Sequence, residues 1–475
     1  MSVVAERIEG MTGELYRGNY EHLADELRKL DLLLQLRVQA FRQQTQAAQG
    51  LAADPQVYIS HAEVDRLLGM DGSRAAETAG STAIRRQLVQ LQAEIDARLE
   101  AGRIQGTFLA LPQLAQLFRL SPFELQAVII CLAPELRRKY DRLYAYLQDD
   151  ITRKKPSVDL ILDLLCEAEA ERWAARTLFA KGARLRWSGI LQAIDDPLSP
   201  SGSSGLAQFL ALDPRILNYI LGDNTPDARL NGLVTLFNPQ PGVEEGHIDP
   251  SIKTELLNLI DNHFDGPEAT GQKLVLHLHG PYGAGKRELA LEACARLGCP
   301  LLSLDVAALL AGPADVESTL RLAYREGLLL QSALYLDNAD GLLGEEPAAQ
   351  AHLTHLSHVV SEYGWLTFLA GEKRWSPGGA FEGMVVQGFE LSLPAVPLRA
   401  TAWQAALDGQ MPGAEGTWSV ALARQFRLTP GQIRDAVALA WNWQAMRDGQ
   451  GALALADLYA ACRAQSNQRL GELAV

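Results

Sequence analysis

The residues best suited to chemistry lie in one stretch, KLVLHLHGPYGAGKRELALEACARLG. An apolar run from Leu274 to Leu278 passes into Gly280, Pro281, Tyr282, Gly283, Ala284, Gly285, Lys286 and Arg287, and a helical pattern starts at once. This is GxxxxGK spacing between a strand and a helix, the P-loop arrangement. Its glycines let backbone amides wrap a phosphate, the helix end adds partial positive charge, and Lys286 would reach the outer phosphates. An ordinary glycine turn would not call for a lysine there. The next position normally carries Ser or Thr, whose hydroxyl ligates magnesium. Here it is Arg287, which has no acceptor atom and a charge that opposes a metal cation. Arg287 could instead neutralise phosphate charge, which favours holding a nucleotide over turning it over.

Further along, ALYLD ends at Asp337, an acid at the strand end where a Walker B aspartate helps to hold the metal. Asn338 follows, at the place where AAA+ proteins carry the glutamate that activates water. Its amide cannot accept a proton at neutral pH, so no catalytic residue is assigned. WLTFLAG ends near Glu372, where a polar sensor residue would sit. No arginine stands between Phe381 and Gly388 to act as a finger, and Arg374 comes too early to nominate. FRLTPGQIRDAVALA opens a helix at Thr429-Pro430 and carries Arg434 one turn in, which resembles the sensor 2 helix of an AAA+ lid. The expected ligand is ATP or ADP, held by residues 280–287, Asp337, Glu372 and Arg434. Asp337 is the candidate ligand for any magnesium. His352, His355 and His358 lie near one helical face, but without an acid or cysteine beside them the spacing is that of surface chance.

The elements that must position these groups can be read around them. A helix is expected over Ser251 to Phe264, with strands at the P-loop, at ALYLD, at WLTFLAG and at GFELSLPAV. Towards the N-terminus, Leu23, Leu27, Leu30 and Leu34 repeat with helical period, as core packing or as a docking helix. A second helix reads from about Thr82 to Ala101. Two short helices meet at Arg119-Leu120-Ser121, with Ser121-Pro122-Phe123-Glu124 as a capping box. Further helices follow in RRKYDRLYAYLQDD and after Pro156. Ala183 to Trp187 alternates like a strand, and PLSPSGSSG then forms a loop before LAQFLAL. Helices, strand, loop and apolar segment in that order suggest a winged helix. The basic clusters Arg137-Arg138-Lys139 and Arg153-Lys154-Lys155 are followed by Asp141, Asp159 and Asp163, which reads as a charge-mixed interaction face.

Composition narrows the class. The chain has 475 residues, a net charge of -14, 48% hydrophobic and 21% charged residues, which suits a soluble globular protein of several domains. That charge argues against a general nucleic-acid binder and for protein or small-anion partners. No apolar run is long enough for a membrane span, and MSVVAERIEG lacks the apolar core of a signal peptide. Cys131, Cys166, Cys294, Cys299 and Cys462 have no metal-ligand spacing, so thiols in a reducing, cytoplasmic setting are expected.

Taken over its length, the chain resembles a bacterial AAA+ family linked to contractile injection systems. SPFELQAVIICLAPEL…YDRLYAYLQDDITRKKPSVDLILDLL, GQIRDAVALA and ACRAQSNQRLGELA carry the resemblance. It implies a degenerate first AAA+ module, with a second, intact module following ACRAQSNQRLGELA in other members, whereas this sequence stops at Val475. It also implies injection-system components as protein partners and a possible homo-oligomer. The expected fold is α/β: an α-rich region (1–105), a winged helix-like domain (106–222), a linker (223–250), a P-loop AAA+ core with a parallel sheet (251–396) and a helical lid (397–475). The expected function is nucleotide binding with poor hydrolysis, in assembly or remodelling of a protein complex. A slow ATPase and a nucleotide-free adaptor are its rivals.

Overall fold

The computed structural model describes residues 15–48, 61–69, 77–194, 205–239, 248–264, 271–407, 415–447 and 453–473. They divide into two compact units, 1–225 and 226–475.

In the first unit, α1 (Asn19–Ala48) buries Leu23, Leu27, Leu30 and Leu34, so the leucine stripe is core packing. It lies along α2 (Glu77–Ile104), where Arg98 pairs with Asp25 at 2.7 Å and Glu21 at 3.2 Å. Next come α3 (Ala110–Leu117) and α4 (Pro122–Leu136), joined through Arg119 in the left-handed region. Ser121 caps α4: its backbone N–H donates to Glu124 at 2.8 Å, and its hydroxyl accepts from the Glu124 amide at 3.3 Å. After α5 (Lys139–Leu147) and α6 (Val158–Leu165), β1 (Leu191–Ile194) and β2 (Phe209–Leu212) form an antiparallel pair. Most of the Gly/Ser loop between them lies outside the described residues. The basic clusters are matched by acids, Lys139 with Asp31 at 2.6 Å, Arg153 with Asp150 at 3.4 Å, and Lys155 with Glu135.

One expected strand is a helical turn instead. Arg184–Trp187 is a single turn with Leu185 buried, and the strand begins at Leu191. Five alternating residues are too few to separate the two periods. Arg184 donates to the Arg119 carbonyl at 2.6 Å and Arg186 to the Gln208 side chain at 3.0 Å, which fixes both arginines in the helical arrangement.

In the second unit, β3 (Val234–Phe237), β4 (Leu274–His279), β5 (Leu301–Asp305), β6 (Ala333–Asp337), β7 (Leu366–Gly371) and β8 (Val385–Glu390) build one sheet in the order β3-β5-β6-β7-β4-β8. All neighbours run parallel except β3, which pairs antiparallel with β5. The expected linker 223–250 therefore contributes an edge strand, too short and too closely flanked by Gly, Asn and Pro to be read as one. Asp227 anchors that strand's approach. It is buried, accepts from Arg229 and pairs at 2.6 Å with Arg325, which has no exposed surface, on α9 (Val316–Leu329). The last strand lies earlier than GFELSLPAV, because Pro394 cannot donate to a ladder.

Leu274, Leu276 and Leu278 of β4 share one core with Leu256 and Ile260 of α7 (Pro250–Phe264) and Leu289 and Ala293 of α8 (Lys286–Leu297). After the sheet, α11 (Val396–Leu407), α12 (Glu415–Gln425), α13 (Pro430–Arg447) and α14 (Leu455–Leu473) close on a separate core of Trp403, Leu422, Ile433 and Leu458. Between β6 and β7, α10 (Pro347–Tyr363) returns the chain, and its contact with α9 pairs those two helices.

The alternate residues of β4, His277 and His279, face the opposite side of the sheet. His277 is 1% exposed, neither ring nitrogen has a hydrogen-bond partner among the described residues, and its ring stacks on His279 at 5.1 Å. Burial, with His279 adding to it, pushes the His277 pKa down to about 4. An unfolded histidine titrates near 6.5, so in acid the unfolded chain takes up the proton first, and stability present above that pH is lost as pH falls towards 4. Replacing His277 with Phe should remove up to about 3 kcal/mol of this acid loss in urea titrations between those pH values. An unchanged pH slope would contradict it.

Candidate nucleotide-binding site

The parallel strands bring the expected residues to one end of the sheet. β4 and β7 run side by side, with His279 opposite Gly371, and the Gly280 amide donates to the Gly371 carbonyl at 3.2 Å. Asp337 ends β6, the strand beside β7. The loop 280–285, Asp337 and Glu372 thus gather at strand C-termini, the place where open α/β sheets bind ligands.

The loop's backbone is set for an anion. Gly285 is the N-cap of α8 with φ +99°, and it has no side chain to occupy the first-turn amides. Lys286 opens the helix, and its Nζ donates to the Gly280 carbonyl at 2.7 Å and the Pro281 carbonyl at 3.1 Å. Burial lowers the Lys286 pKa, against the pull of Glu372, Asp337, Asp340 and Glu288. Those acids place Lys286 at the centre of the charged groups of the site. The residues 280–287 fit a phosphate by backbone, helix end and cation together.

Magnesium fits poorly. Arg287 Nη2 donates to Asp337 Oδ2 at 2.5 Å, and its guanidinium lies 5.9 Å above the Phe237 ring. Burial opposes the Arg287 charge, but the hydrogen bond and charge of Asp337 more than reverse that and raise its pKa. The expected metal ligand is therefore already neutralised by a fixed cation, at the side chain that would otherwise share the metal. Among the described residues, no three His, Cys, Asp or Glu side chains cluster to hold an ion. An acid does stand beside one of the three histidines, contrary to the sequence expectation: the His355 ring lies 3.0 Å from the Glu317 carbonyl and 3.6 Å from its carboxylate.

Several members of the site gave little sign of themselves in sequence. Asn338 is left-handed at φ +56°, which turns the chain so that Asp340 faces the end of β7. The Asp340 carboxylate accepts from the amides of Glu372 at 2.8 Å and Lys373 at 3.0 Å. Asp340-Gly341 after the strand was the available signal, a turn pair rather than a site pair. Glu372 itself is exposed, held by its backbone.

The lid touches the loop directly. Gly431 N–H donates to the Gly283 carbonyl at 2.9 Å, and the Thr429 hydroxyl donates to the Tyr282 carbonyl at 2.8 Å. A Cβ on Gly283 would stand 2.6 Å from the Gly431 Cα, and φ is +72°, so this crossing of two backbones needs glycine. Arg434 reaches the P-loop helix, but through Glu288 at 3.1 Å rather than into the loop. Burial, with the nearby Asp435 carboxylate adding to it, raises the Tyr282 pKa.

Two family models match the chain. One, described as a winged helix domain, variant, matches residues 9–234. The other, a contractile injection system ATPase helical domain, covers residues 395–468. No curated protein matches. Similar solved structures include the FIGL-1 AAA domain (17% identity, TM-score 0.41, 50% of this chain and 89% of that one). The same domain with ADP gives 16%, 0.41, 49% and 87%. A structure titled for katanin self-assembly gives 16%, 0.39, 50% and 92%.

Thr429 also caps α13, its hydroxyl accepting from the Gln432 amide at 3.2 Å. Thr429→Val keeps the volume and removes both bonds, and should cost the lid about 1–2 kcal/mol. Hydrogen exchange should then show faster exchange over 430–447 with β4 and β7 unchanged, and equal protection of 430–447 would contradict the anchoring.

Proposed function

We propose that this chain, which matches a winged helix domain model and a contractile injection system ATPase helical domain model, is an AAA+-type module that holds ATP or ADP without rapid hydrolysis. In this reading the bound nucleotide sets the geometry of a protein assembly. The observation that carries it is the Arg287–Asp337 ion pair at 2.5 Å. It joins the two positions that would share a magnesium ion and leaves a guanidinium, rather than a metal, beside the loop. The phosphates would be met by Lys286, by the Arg287 guanidinium shared with Asp337, and by the amides at the start of α8 as directed donors. Asn338 offers no base, so the attacking water would lack its activator.

Arg434 and the backbone bonds of Thr429 and Gly431 support coupling of the loop to the lid, so a ligand that orders the loop would order the lid with it. Partners among injection-system components, a homo-oligomer and a cytoplasmic setting belong to the same proposal. Among the described residues, no helix is long and apolar enough to cross a membrane. The net charge of -14 favours protein over nucleic-acid partners.

Phosphate release from ATP tests the hydrolysis half of this reading. The purified chain should release phosphate no faster than Lys286→Ala. Release that falls at least about tenfold in that variant would identify a working ATPase and contradict the proposal.

A further inference from the structure

The P-loop helix α8 begins at Lys286 and ends on Gly298, which is left-handed at φ +67°. Past that glycine, the Cys299 amide donates to the Cys294 carbonyl at 3.0 Å, and the Gly298 amide donates to the Ala295 carbonyl at 3.3 Å. These two bonds are the six-to-one and five-to-two closures of a Schellman turn. In that turn the side chains at the two ends meet, commonly as an apolar contact. Here both are cysteines. Cys294 is buried inside the core shared by α7, α8 and the sheet, and Cys299 is partly exposed and packed against the same core.

We propose that Cys294 and Cys299 form a dithiol that closes to a disulfide on reaction with a peroxide, with Cys299 as the attacking sulfur and Cys294 as the resolving one. The backbone bond from the Cys299 amide to the Cys294 carbonyl at 3.0 Å keeps the two residues adjacent across the turn, as a disulfide requires. Accessibility assigns the order, since an oxidant meets Cys299 first. The interaction between the two thiols holds Cys299 below its ordinary range and drives Cys294 above its own. The other three cysteines are all raised by burial, including the partly exposed Cys166. The thiolate is the reacting form, so Cys299 is the favoured target.

The chemistry balances with peroxide as the oxidant. The Cys299 sulfur attacks one peroxide oxygen; an S–O bond forms, the O–O bond breaks, and the leaving oxygen departs as water with the thiol proton. Cys294 sulfur then attacks Cys299 sulfur; the S–S bond forms, the S–O bond breaks, and the hydroxyl leaves as a second water. Two thiols lose two electrons and two protons, and the peroxide is reduced to two waters. The product ties the end of the P-loop helix to the entry of β5. It does not depend on whether the loop binds nucleotide.

Hydrogen peroxide added to the full chain, followed by alkylation and peptide mass spectrometry without reductant, tests this. Arg296 separates the pair, so the link should join tryptic peptides 288–296 and 297–321 with loss of two hydrogens, and thiol reductant should release them. Cys294→Ser should leave Cys299 oxidised to sulfenic or sulfinic acid with no link, and Cys299→Ser should leave Cys294 a free thiol. The wild-type chain decides the matter even if a variant fails to fold. Sulfinic acid at Cys299 without a link, or modification of Cys166 ahead of Cys299, would overturn the proposal.

Discussion

Asp337 ends a buried strand at the rim of the sheet, and its charge has to be balanced by something near. A divalent ion can do this, with a hydroxyl on the P-loop helix completing its coordination. In this chain the position that would supply the hydroxyl supplies a guanidinium, and the carboxylate is paired within the protein. The Arg287 side chain is 46% exposed, and a pair of that kind adds little to stability. Its consequence is electrostatic. Arg287 and Asp337 offset one another, so the acid on β6 is no longer free to attract a cation and Lys286 is left as the loop's uncompensated positive charge. The neighbouring site features are consistent with that setting: an amide at 338, and a carboxylate at 340 spent on the backbone after β7.

The same loop is also a structural joint. Two of its carbonyls are used by the lid: Gly431 donates to Gly283 and Thr429 to Tyr282. Two glycines are needed where those backbones cross, so the sequence at 283 and at 431 answers to the lid as much as to a ligand. Arg434 adds a charge contact to the first turn of α8 through Glu288. A loop bonded to the lid on one side and open to a phosphate on the other is suited to passing a change of ligand state from one to the other.

Much of this was legible because it is local. The GxxxxGK run, the apolar strand ending in Asp337 and the Thr429-Pro430 helix start each depend on residues adjacent in sequence, and each was placed within a residue or two. The capping box at Ser121 and Glu124 was legible for the same reason. What escaped was set by tertiary pairing. β3 is four residues long and is a strand only because β5 offers it an edge. Asp340 matters because Asn338 takes a left-handed turn, and Arg184 to Trp187 is a helical turn whose arginines find acceptors elsewhere. The Arg434 contact with Glu288 spans 146 residues, a pairing that no local pattern announces.

The central claim is that a guanidinium stands where a metal would. It is tested most directly by calorimetric titration of ATP and ADP into the full chain, once with magnesium and once with chelator, beside Lys286→Ala. The account predicts binding whose affinity changes by less than about threefold when magnesium is removed and which is lost in the variant. Binding that appears only with magnesium, or no heat with either nucleotide, would contradict it.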